Sequence, residues 1–259
     1  MHRKNSFIRH YAPLFPAIFF IVAYLLPLGG RLMTRPDEFR YAEIPREMLV
    51  TGNFAVPALN GLAYYEKPAL GYWLTAASMA LLGQNRFAVR FPSALFTLLT
   101  AGTVFLLGAR GRDRRTGTLA CALFLSSGLV FAVGTSAVLD PPFAFFVTAG
   151  TAAGYFYHTE RDRRKKILYL FLAGLFVGCG IMIKGLLSPL LAGVAVAAFL
   201  LLKKEYRQLA AAVLPVLAGM AVSALPGGAL HASLRAGLLE GIHPHRTRPA
   251  RPLRRGGGR

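Results

Sequence analysis

Apolar runs long enough to cross a lipid bilayer recur along most of the chain and constrain its fold more than any other feature. A membrane-spanning helix needs about 20 mostly apolar residues. Runs close to this length occur at 12–30, 91–109, 118–137, 142–157, 167–183, 186–202 and 209–225. The chain is 54% hydrophobic and only 16% charged, whereas soluble domains are about 25% charged. The sequence therefore predicts an all-α, polytopic transmembrane helical bundle with about seven spans.

Basic residues fall in alternate connections between these runs and predict an orientation. They occur at Arg3-Lys4, at 110–115, at 161–166, and at Lys203-Lys204 with Arg207. Lys and Arg accumulate in cytoplasmic loops, so we expect all four segments and the N-terminus in the cytoplasm. The connections at 31–90, around Asp140 and around Lys184 then face outward.

The first run follows basic residues, as in a signal peptide, but its length predicts a retained anchor.

A further apolar stretch at 69–83 could be mistaken for an eighth span. If it crossed the bilayer, the two strongest basic segments would lie outside. We therefore expect it to lie flat in the outer interface, where Tyr72 and Trp73 suit the level of the lipid headgroups. Pro68 suits the first turn of such a helix.

The outer loop, 31–90, contains many ionisable and aromatic residues. Thr34 and Asp37 have capping-box-like spacing around Pro36 and predict an interfacial helix that begins there. The charged residues of its predicted polar face are Arg40, Glu43 and Glu47. The segment 64–68, Tyr-Tyr-Glu-Lys-Pro, follows between the two predicted helices. We expect these side chains to converge at one boundary between water and lipid.

The net charge of +19 raises the question of nucleic acid binding. The Lys and Arg residues fall in short runs between apolar stretches and form no basic face on a soluble fold, so we expect no nucleic-acid partner. Cys121 and Cys179 each lie within an apolar run, with no partner at the spacing of a metal or redox motif. Packing is the preferred interpretation of both cysteines.

Four motifs in order resemble one family of enzymes. They are Asp37-Glu38-Phe39-Arg40-Tyr41-Ala42-Glu43-Ile44 with Arg46-Glu47-Met48, Tyr65-Glu66-Lys67-Pro68 with Tyr72-Trp73, Leu139-Asp140-Pro141, and Lys184-Gly185. Over about residues 13–226 the chain looks like the bacterial 4-amino-4-deoxy-L-arabinose lipid A transferases and the related protein O-mannosyltransferase-like family. The resemblance implies a GT-C glycosyltransferase in the bacterial inner membrane, with its active site on the outer face. It also implies a polyprenyl-phosphate-linked sugar donor and an acceptor, lipid A in preference to protein.

The chemistry of such a transfer makes two demands on the protein. A cation must stabilise the lipid phosphate as it leaves, and an acid must take the proton from an acceptor hydroxyl. Lys67 and Asp37 are the candidates for these roles. Asp37 has a structural alternative, because an acid in the first turn of a helix complements the helix dipole.

Further residues of the motifs are candidates for substrate binding. Arg40 and Tyr41 could orient the phosphate or the sugar, although a tyrosine at this depth also suits an interfacial anchor. Glu38 is a weaker binding candidate and could be a solvated neighbour. Lys184 could snorkel to the surface, while the resemblance implies a position near the lipid phosphate.

Two acids complete the candidate site. Asp140 could cap the helix that follows it or face the active site as a catalytic residue. Glu66 resembles a family residue that contributes to a divalent-metal site, and the local alternative is an ion pair with Lys67. The resemblance therefore implies a divalent metal ion as a cofactor, with Glu66 as its candidate ligand.

The sequence divides into 1–226, the glycosyltransferase part, and 227–259, an Arg- and Gly-rich tail. We expect the tail to be disordered or out of frame, from an altered reading frame or a truncation after Ala224-Leu225-Pro226, which could leave the chain inactive. Two other functions remain open. A transporter or permease fragment would place ionisable residues near the bilayer midplane on broken helices. If the chain is a non-catalytic membrane scaffold, substitution of Asp37 or Lys67 would leave the surface glycans of the cell unchanged.

Overall fold

The computed structural model describes residues 14–205 and the single positions 213, 217, 218 and 221. The elements in chain order are α1 (Leu14–Phe20), a π-helical segment (Ile21–Leu25), α2 (Pro36–Thr51), β1 (Ala58–Leu59), β2 (Leu62–Ala63), α3 (Leu70–Leu82), α4 (Arg86–Gly111), α5 (Arg114–Ser126), α6 (Gly128–Gly134), α7 (Asp140–Thr159), α8 (Arg163–Lys184) and α9 (Leu187–Leu202). Apart from the four single positions, the predicted span at 209–225 lies outside the described residues, and so does the whole tail at 227–259.

Two helices of the described part are long and apolar enough to cross a membrane, α4 with 26 residues and α8 with 22. A third span results if α5 and α6 are taken together, although they are bent by 67° at their break. The predicted runs at 12–30 and 186–202 correspond to shorter apolar helices, because helical structure covers only part of the first run and α9 has 16 residues. The structure is therefore mostly helical, and the predicted seven spans are not confirmed.

The bend between α5 and α6 falls at Ser127, whose extended backbone (φ −65°, ψ 126°) interrupts the helix. The last carbonyls of a helix have no partner within it. One of them, the carbonyl of Leu125, accepts a buried hydrogen bond from the hydroxyl of Tyr24 at 2.7 Å. The π-helical segment Ile21–Leu25 therefore stabilises the break between α5 and α6.

The described residues also include a small β-hairpin within the mostly helical structure. Ala58 pairs with Ala63 and Leu59 with Leu62 in an antiparallel register. Asn60 (φ 55°) and Gly61 (φ 76°) form the turn with positive φ angles, and Asn-Gly is a preferred pair for such two-residue turns. Each strand has only two residues, too few for the alternating pattern that identifies strands from sequence.

Contacts between distant residues show which connections share an end of the bundle. Arg110, at the end of α4, bonds Glu160 after α7 at 2.8 Å. At the other end of α7, Asp140 bonds Lys184 at the end of α8, at 2.8 Å. The basic connections at 110–115 and 160–166 therefore lie together, away from Asp140 and Lys184.

Two positions along α3 lie at the end of the bundle that contains Asp140. Near its start, Gly71 is so close to Leu139 that a Cβ on the glycine would lie 2.5 Å from a Leu139 methyl carbon. Further along α3, the hydroxyl of Ser78 donates to the Ala88 carbonyl near the start of α4, at 2.6 Å. Helix α3 therefore does not cross the bundle. This agrees with the sequence, which predicted that 69–83 does not span the bilayer. The helix begins at Leu70, so Pro68 precedes it instead of lying in its first turn.

A buried arginine joins the outer loop to the bundle. Arg90 of α4 is 0% exposed and bonds both carboxylate oxygens of Glu38, at 2.8 and 3.2 Å. It also donates to the carbonyls of Leu28, Arg31 and Leu32. The same carboxylate accepts the backbone N–H of Ala137 at 3.0 Å. This one ion pair thus connects α2, α4, the segment before α2 and the segment before α7.

Candidate functional site

The first turn of α2 separates its two acids. Pro36 is the first helical residue, and Arg35 occupies the N-cap without a side-chain hydrogen bond, so the predicted capping box does not form. The carboxylate of Asp37 is 56% exposed and that of Glu38 is 1% exposed. Both oxygens of Glu38 are bound by protein groups. The observed partners of Glu38 are therefore structural, and its substrate-binding role stays a prediction.

Arg40 brings two motifs of the outer loop together, 37–48 and 65–68. Its guanidinium lies 3.7 Å from the Asp37 carboxylate and 3.3 Å from that of Glu66. It also donates to the hydroxyl of Tyr64 at 3.1 Å, and that hydroxyl donates in turn to Glu66. Helix α2 and the segment before α3 therefore form one charged cluster around a single guanidinium.

Lys67 belongs to the same cluster. Its ammonium lies 3.8 Å from the carboxylate of Glu66, and about a third of its side chain is exposed. Glu66 thus faces two cations, Arg40 and Lys67. The local ion pair that the sequence left open as an alternative for Glu66 is present.

This surrounding does not favour the metal role predicted for Glu66. Divalent cations require several oxygen or nitrogen ligands together. In the part of the chain that the structure describes, no group of three or more His, Cys, Asp or Glu residues could hold a metal ion. The partners of Glu66 are a guanidinium, an ammonium and a phenol. Metal binding by Glu66 therefore stays a prediction.

Asp140 and Lys184 form a second charged pair, 2.8 Å apart. Asp140 is the first residue of α7, yet its side chain does not cap the helix, so the capping alternative does not apply. The ammonium of Lys184 also lies 5.2 Å from the centre of the Phe143 ring. Two predicted site residues that are far apart in sequence thus meet where α7 begins and α8 ends.

One hydrophobic cluster underlies both charged groups. Its buried members are Ile44, Met48, Tyr72, Phe96, Leu139, Phe143, Phe146 and Ile183, and Tyr41 and Tyr64 pack against it. Leu139 and Ile183 are direct chain neighbours of Asp140 and Lys184. Tyr41 directly follows Arg40, and Tyr64 bonds both Arg40 and Glu66. The shared core therefore holds the two charged groups at one end of the bundle.

Three tyrosines, Tyr41, Tyr64 and Tyr72, lie between the hydrophobic cluster and the charged cluster around Arg40. The ring of Tyr72 is 6.0 Å from that of Tyr41 and 6.4 Å from that of Tyr64, measured between centres. Burial, with a smaller effect of the Asp37 charge, raises the pKa of Tyr41 to about 12. Burial also raises the pKa of Tyr72. Both hydroxyls therefore stay protonated at neutral pH and can donate hydrogen bonds.

The predicted polar face of α2 is divided between different partners. Glu43 forms a two-bonded ion pair with Arg46, at 2.8 and 2.6 Å. Glu47 is buried and accepts the backbone N–H groups of Asn60 and Gly61 in the hairpin turn. Only Arg40 of this face joins the charged cluster.

A cavity of about 640 Å³ opens beside Arg40. Its polar lining includes Arg40, Glu43, Arg46 and Arg86, and Phe39 belongs to its apolar lining. Three cationic side chains against one acid give this cavity a positive balance.

The roles of two residues of this region were missed from the sequence. Arg90 entered only as the end of the outer loop, and Tyr72 entered as an interfacial residue and as part of a family motif without a role of its own. A charged residue within the first turns of an otherwise apolar helix is the available signal for Arg90, because such a charge requires a buried partner. For Tyr72 the signal is weaker, since a tyrosine near an interface is common.

The fold and the charged end define a class of protein, a helical membrane protein with clustered cations and carboxylates at one end of its bundle. The family model of the dolichyl-phosphate-mannose-protein mannosyltransferases matches residues 12–221. The chain belongs to this family, which confirms the family resemblance found in the sequence.

Individual relatives agree with this assignment. The chain is 46% identical over 197 residues to the undecaprenyl phosphate-alpha-4-amino-4-deoxy-L-arabinose arabinosyl transferase 1 of Sodalis glossinidius, covering 75% of this chain. It is 39% identical over 209 residues to arabinosyl transferase 2 of Proteus mirabilis, covering 80% of this chain. It spans 35% and 38% of the lengths of these two curated relatives.

Solved structures show the same fold. The apo crystal structure of ArnT from Cupriavidus metallidurans superposes with a TM-score of 0.78 at 24% identity, covering 91% of this chain and 44% of that one. The structure of the same protein bound to undecaprenyl phosphate gives a TM-score of 0.78 at 23% identity, covering 85% and 41%. The fold of the described part is therefore that of the corresponding part of ArnT.

Proposed function

We propose that this chain is the N-terminal part of a membrane glycosyltransferase that moves 4-amino-4-deoxy-L-arabinose from undecaprenyl phosphate to an acceptor. Lipid A is the preferred acceptor and protein the second. The observation that supports this most directly is the Arg40 cluster. In it, Arg40 lies within ion-pair distance of Asp37 and Glu66, and Glu66 lies within ion-pair distance of Lys67. The arabinosyl transferase relatives support the choice of donor.

Lys67 is the proposed holder of the donor phosphate. At an effective dielectric of about 20, two unit charges 4 Å apart attract by about 4 kcal/mol before desolvation, against about 1 kcal/mol in bulk water. The partial burial of Lys67 favours the stronger case. An attraction of this size matters for binding, and for the rate when the charge on the leaving phosphate grows in the transition state.

Asp37 is the proposed general base. Its carboxylate is exposed, in contrast to that of Glu38, and lies beside Arg40. An acceptor hydroxyl that approaches this rim would give its proton to Asp37 as its oxygen attacks the sugar. Proton transfer of this kind contributes typically about 10²–10⁴-fold to a rate. Arg40 and Tyr41 would orient the phosphate or the sugar next to it.

The Asp140–Lys184 pair is proposed to form the other side of the same site. Lys184 would attract the lipid phosphate, and Asp140 would hold the ammonium in place at 2.8 Å or act on the acceptor. The shared hydrophobic cluster supports this role, because it fixes both charged groups on the same packed side chains.

The cavity lined by Arg40, Arg46 and Arg86 is the proposed approach for the acceptor. Its positive balance suits an anionic lipid such as lipid A better than an uncharged one. Since Arg40 belongs both to the cavity and to the charged cluster, an acceptor there would reach Asp37 and the donor sugar.

We further propose a multi-pass orientation in the inner membrane with about seven spans, the N-terminus in the cytoplasm and the site on the outer face. The described basic connections at 110–115 and 160–166 share one end of the bundle through the Arg110–Glu160 bond. Their clustering supports a cytoplasmic position for that end. The site residues lie at the other end.

The test is mass spectrometry of lipid A and secreted proteins from cells that express the chain. An added amino-pentose mass on lipid A supports the proposal, and the same increment on a protein would change the acceptor. Asp37→Asn should abolish the increment. The matched control is Glu160→Gln, which removes an arginine-paired acid at the opposite end of the bundle and should leave the increment intact. Persistence of the increment in Asp37→Asn would count against Asp37 as the base.

The transporter alternative is less well supported. The break between α5 and α6 is the kind of feature that transporters use for binding sites. However, the residues at this break are Ser126, Ser127 and Gly128. The charged pairs of the Arg40 cluster and of Lys184 lie at helix ends instead.

A further inference from the structure

The hydroxyl of Tyr72 is a buried polar group that has no role in the proposed chemistry. Tyr72 is 0% exposed. Among the described residues, its hydroxyl is the single buried side-chain nitrogen or oxygen without a hydrogen-bond partner. Buried polar groups in proteins nearly always have a partner, and a phenylalanine would fill the same space without the cost of burying a hydroxyl.

The ring of Tyr72 is held firmly by its surroundings. It belongs to the hydrophobic cluster that includes Ile44, Met48 and Leu139. The preceding residue, Gly71, is in close contact with Leu139, which leaves α3 little freedom to shift. The hydroxyl therefore cannot find a partner by a small movement of its own ring.

The hydroxyl lies beside the charged cluster. The Tyr64 ring meets the Tyr72 ring edge-on, at an interplanar angle of 79°, and Tyr64 is itself bonded to Arg40 and Glu66. Glu66 and Arg40 are close enough to influence the ionisation of Tyr72, whose raised pKa is mainly due to burial. A protonated phenol in this position would be stabilised by an oxygen atom that accepts a hydrogen bond from it.

We propose that Tyr72 is a binding residue for the donor, whose hydroxyl donates a hydrogen bond to a phosphate oxygen of the polyprenyl phosphate. This inference rests on the proposed function and adds a residue to its site. A phosphate that pairs with Arg40 and Lys67 competes with Glu66 and Tyr64 for the guanidinium. Once Tyr64 is released, its ring, which meets the Tyr72 ring edge-on, can move aside, and the Tyr72 hydroxyl then acquires the phosphate oxygen as the partner that it lacks.

The test compares Tyr72→Phe with Tyr24→Phe as a matched control. Each substitution removes one buried phenolic hydroxyl, but the hydroxyl of Tyr24 is bonded to the Leu125 carbonyl at 2.7 Å. Without ligand, Tyr72→Phe should leave the thermal midpoint of the detergent-solubilised chain unchanged or raise it. Tyr24→Phe should lower the midpoint by about 2–4 °C, since it leaves a carbonyl without its donor.

Binding of undecaprenyl phosphate supplies the second measurement. The chain has one tryptophan, Trp73, next to Tyr72, so its fluorescence should report a ligand at this site. Tyr72→Phe should weaken binding by about 10- to 100-fold, the range for a lost hydrogen bond to a charged group. Tyr24→Phe should bind like the wild type.

The outcomes separate this inference from the proposed function. If the wild type and Tyr72→Phe bind undecaprenyl phosphate equally well, the role of Tyr72 is wrong and the proposed function is unaffected. If Tyr72→Phe lowers the thermal midpoint as Tyr24→Phe does, the hydroxyl has a structural partner such as a water molecule, and the inference also fails. If the wild type does not bind undecaprenyl phosphate, both proposals fall together.

Discussion

Glu38 and Arg90, 52 residues apart in the sequence, form an ion pair with side chains 1% and 0% exposed. The carboxylate that directly follows the proposed base in sequence is therefore a structural element of the outer loop. Removing one partner of a buried pair leaves the other charge without compensation, which typically costs about 3–5 kcal/mol.

The first prediction concerns this pair. Glu38→Gln should destabilise the chain by about 3 kcal/mol or more, measured as a fall in the midpoint of thermal unfolding in detergent. Glu43→Gln is the control, because Glu43 pairs with Arg46 at a partly exposed position and such pairs contribute about 1 kcal/mol or less. Equal effects of the two substitutions would contradict a special role for the buried pair.

The same pair predicts a dependence on pH. Burial acts to raise the pKa of Glu38, but hydrogen bonds from Arg90 and from the Ala137 N–H outweigh it and lower the pKa below the ordinary value of 4.5. A lowered pKa in the folded state means that the stabilisation is complete above pH 4.5 and is lost as the pH falls below it. The thermal midpoint of the wild type should therefore fall more steeply below pH 4.5 than that of Glu38→Gln.

A second prediction distinguishes two roles of Glu66. As a carboxylate that occupies Arg40 and Lys67, it competes with the donor phosphate, so Glu66→Gln should retain undecaprenyl phosphate binding or strengthen it up to about fivefold, the range of an exposed ion pair. As a metal ligand, Glu66 would be required, and both Glu66→Gln and treatment with a chelator should weaken binding. Titration of Trp73 fluorescence with and without a chelator decides between them. Lys67→Ala should weaken binding in either case.

A third prediction concerns the contact between α3 and Leu139. Because a Cβ at Gly71 would lie 2.5 Å from a methyl carbon of Leu139, Gly71→Ala should lower the thermal midpoint, and the added change Leu139→Ala should partly relieve this clash. Gly102→Ala in α4 is the control, because nothing lies within 4 Å of its Cβ position and alanine favours helix by about 1 kcal/mol over glycine. A fall in stability for Gly102→Ala but not for Gly71→Ala would contradict the packing described.

A fourth prediction concerns orientation. In a chain with Cys121 and Cys179 replaced by serine, an Asn60→Cys variant should react with a membrane-impermeant thiol reagent in spheroplasts. An Arg114→Cys variant should react only after the membrane is opened, because position 114 lies at the basic end of the bundle. Reaction of the two variants in the opposite order would place the site in the cytoplasm and end the proposed function.

The sequence alone determined the membrane class, the apolar runs at 91–109 and 167–183 that lie within the two long helices, and the failure of α3 to cross the bundle. These features depend on the length of apolar runs and on the distribution of Lys and Arg, which are local properties of a chain. The motifs likewise identified the family. They also identified Asp37, Arg40, Glu66, Lys67, Asp140 and Lys184 as residues that the structure places in charged clusters.

The tertiary structure decided which of these groups meet and which are buried. Asp37 and Glu38 are neighbours of the same charge, yet one faces the partly exposed Arg40 and the other the buried Arg90, because the helix directs successive side chains about 100° apart. The pairing of Asp140 with Lys184, the bend at Ser127 and the unpartnered hydroxyl of Tyr72 also depend on packing between distant segments. A sequence pattern specifies the apolar face of each helix, but only the packed helices determine which polar groups find partners.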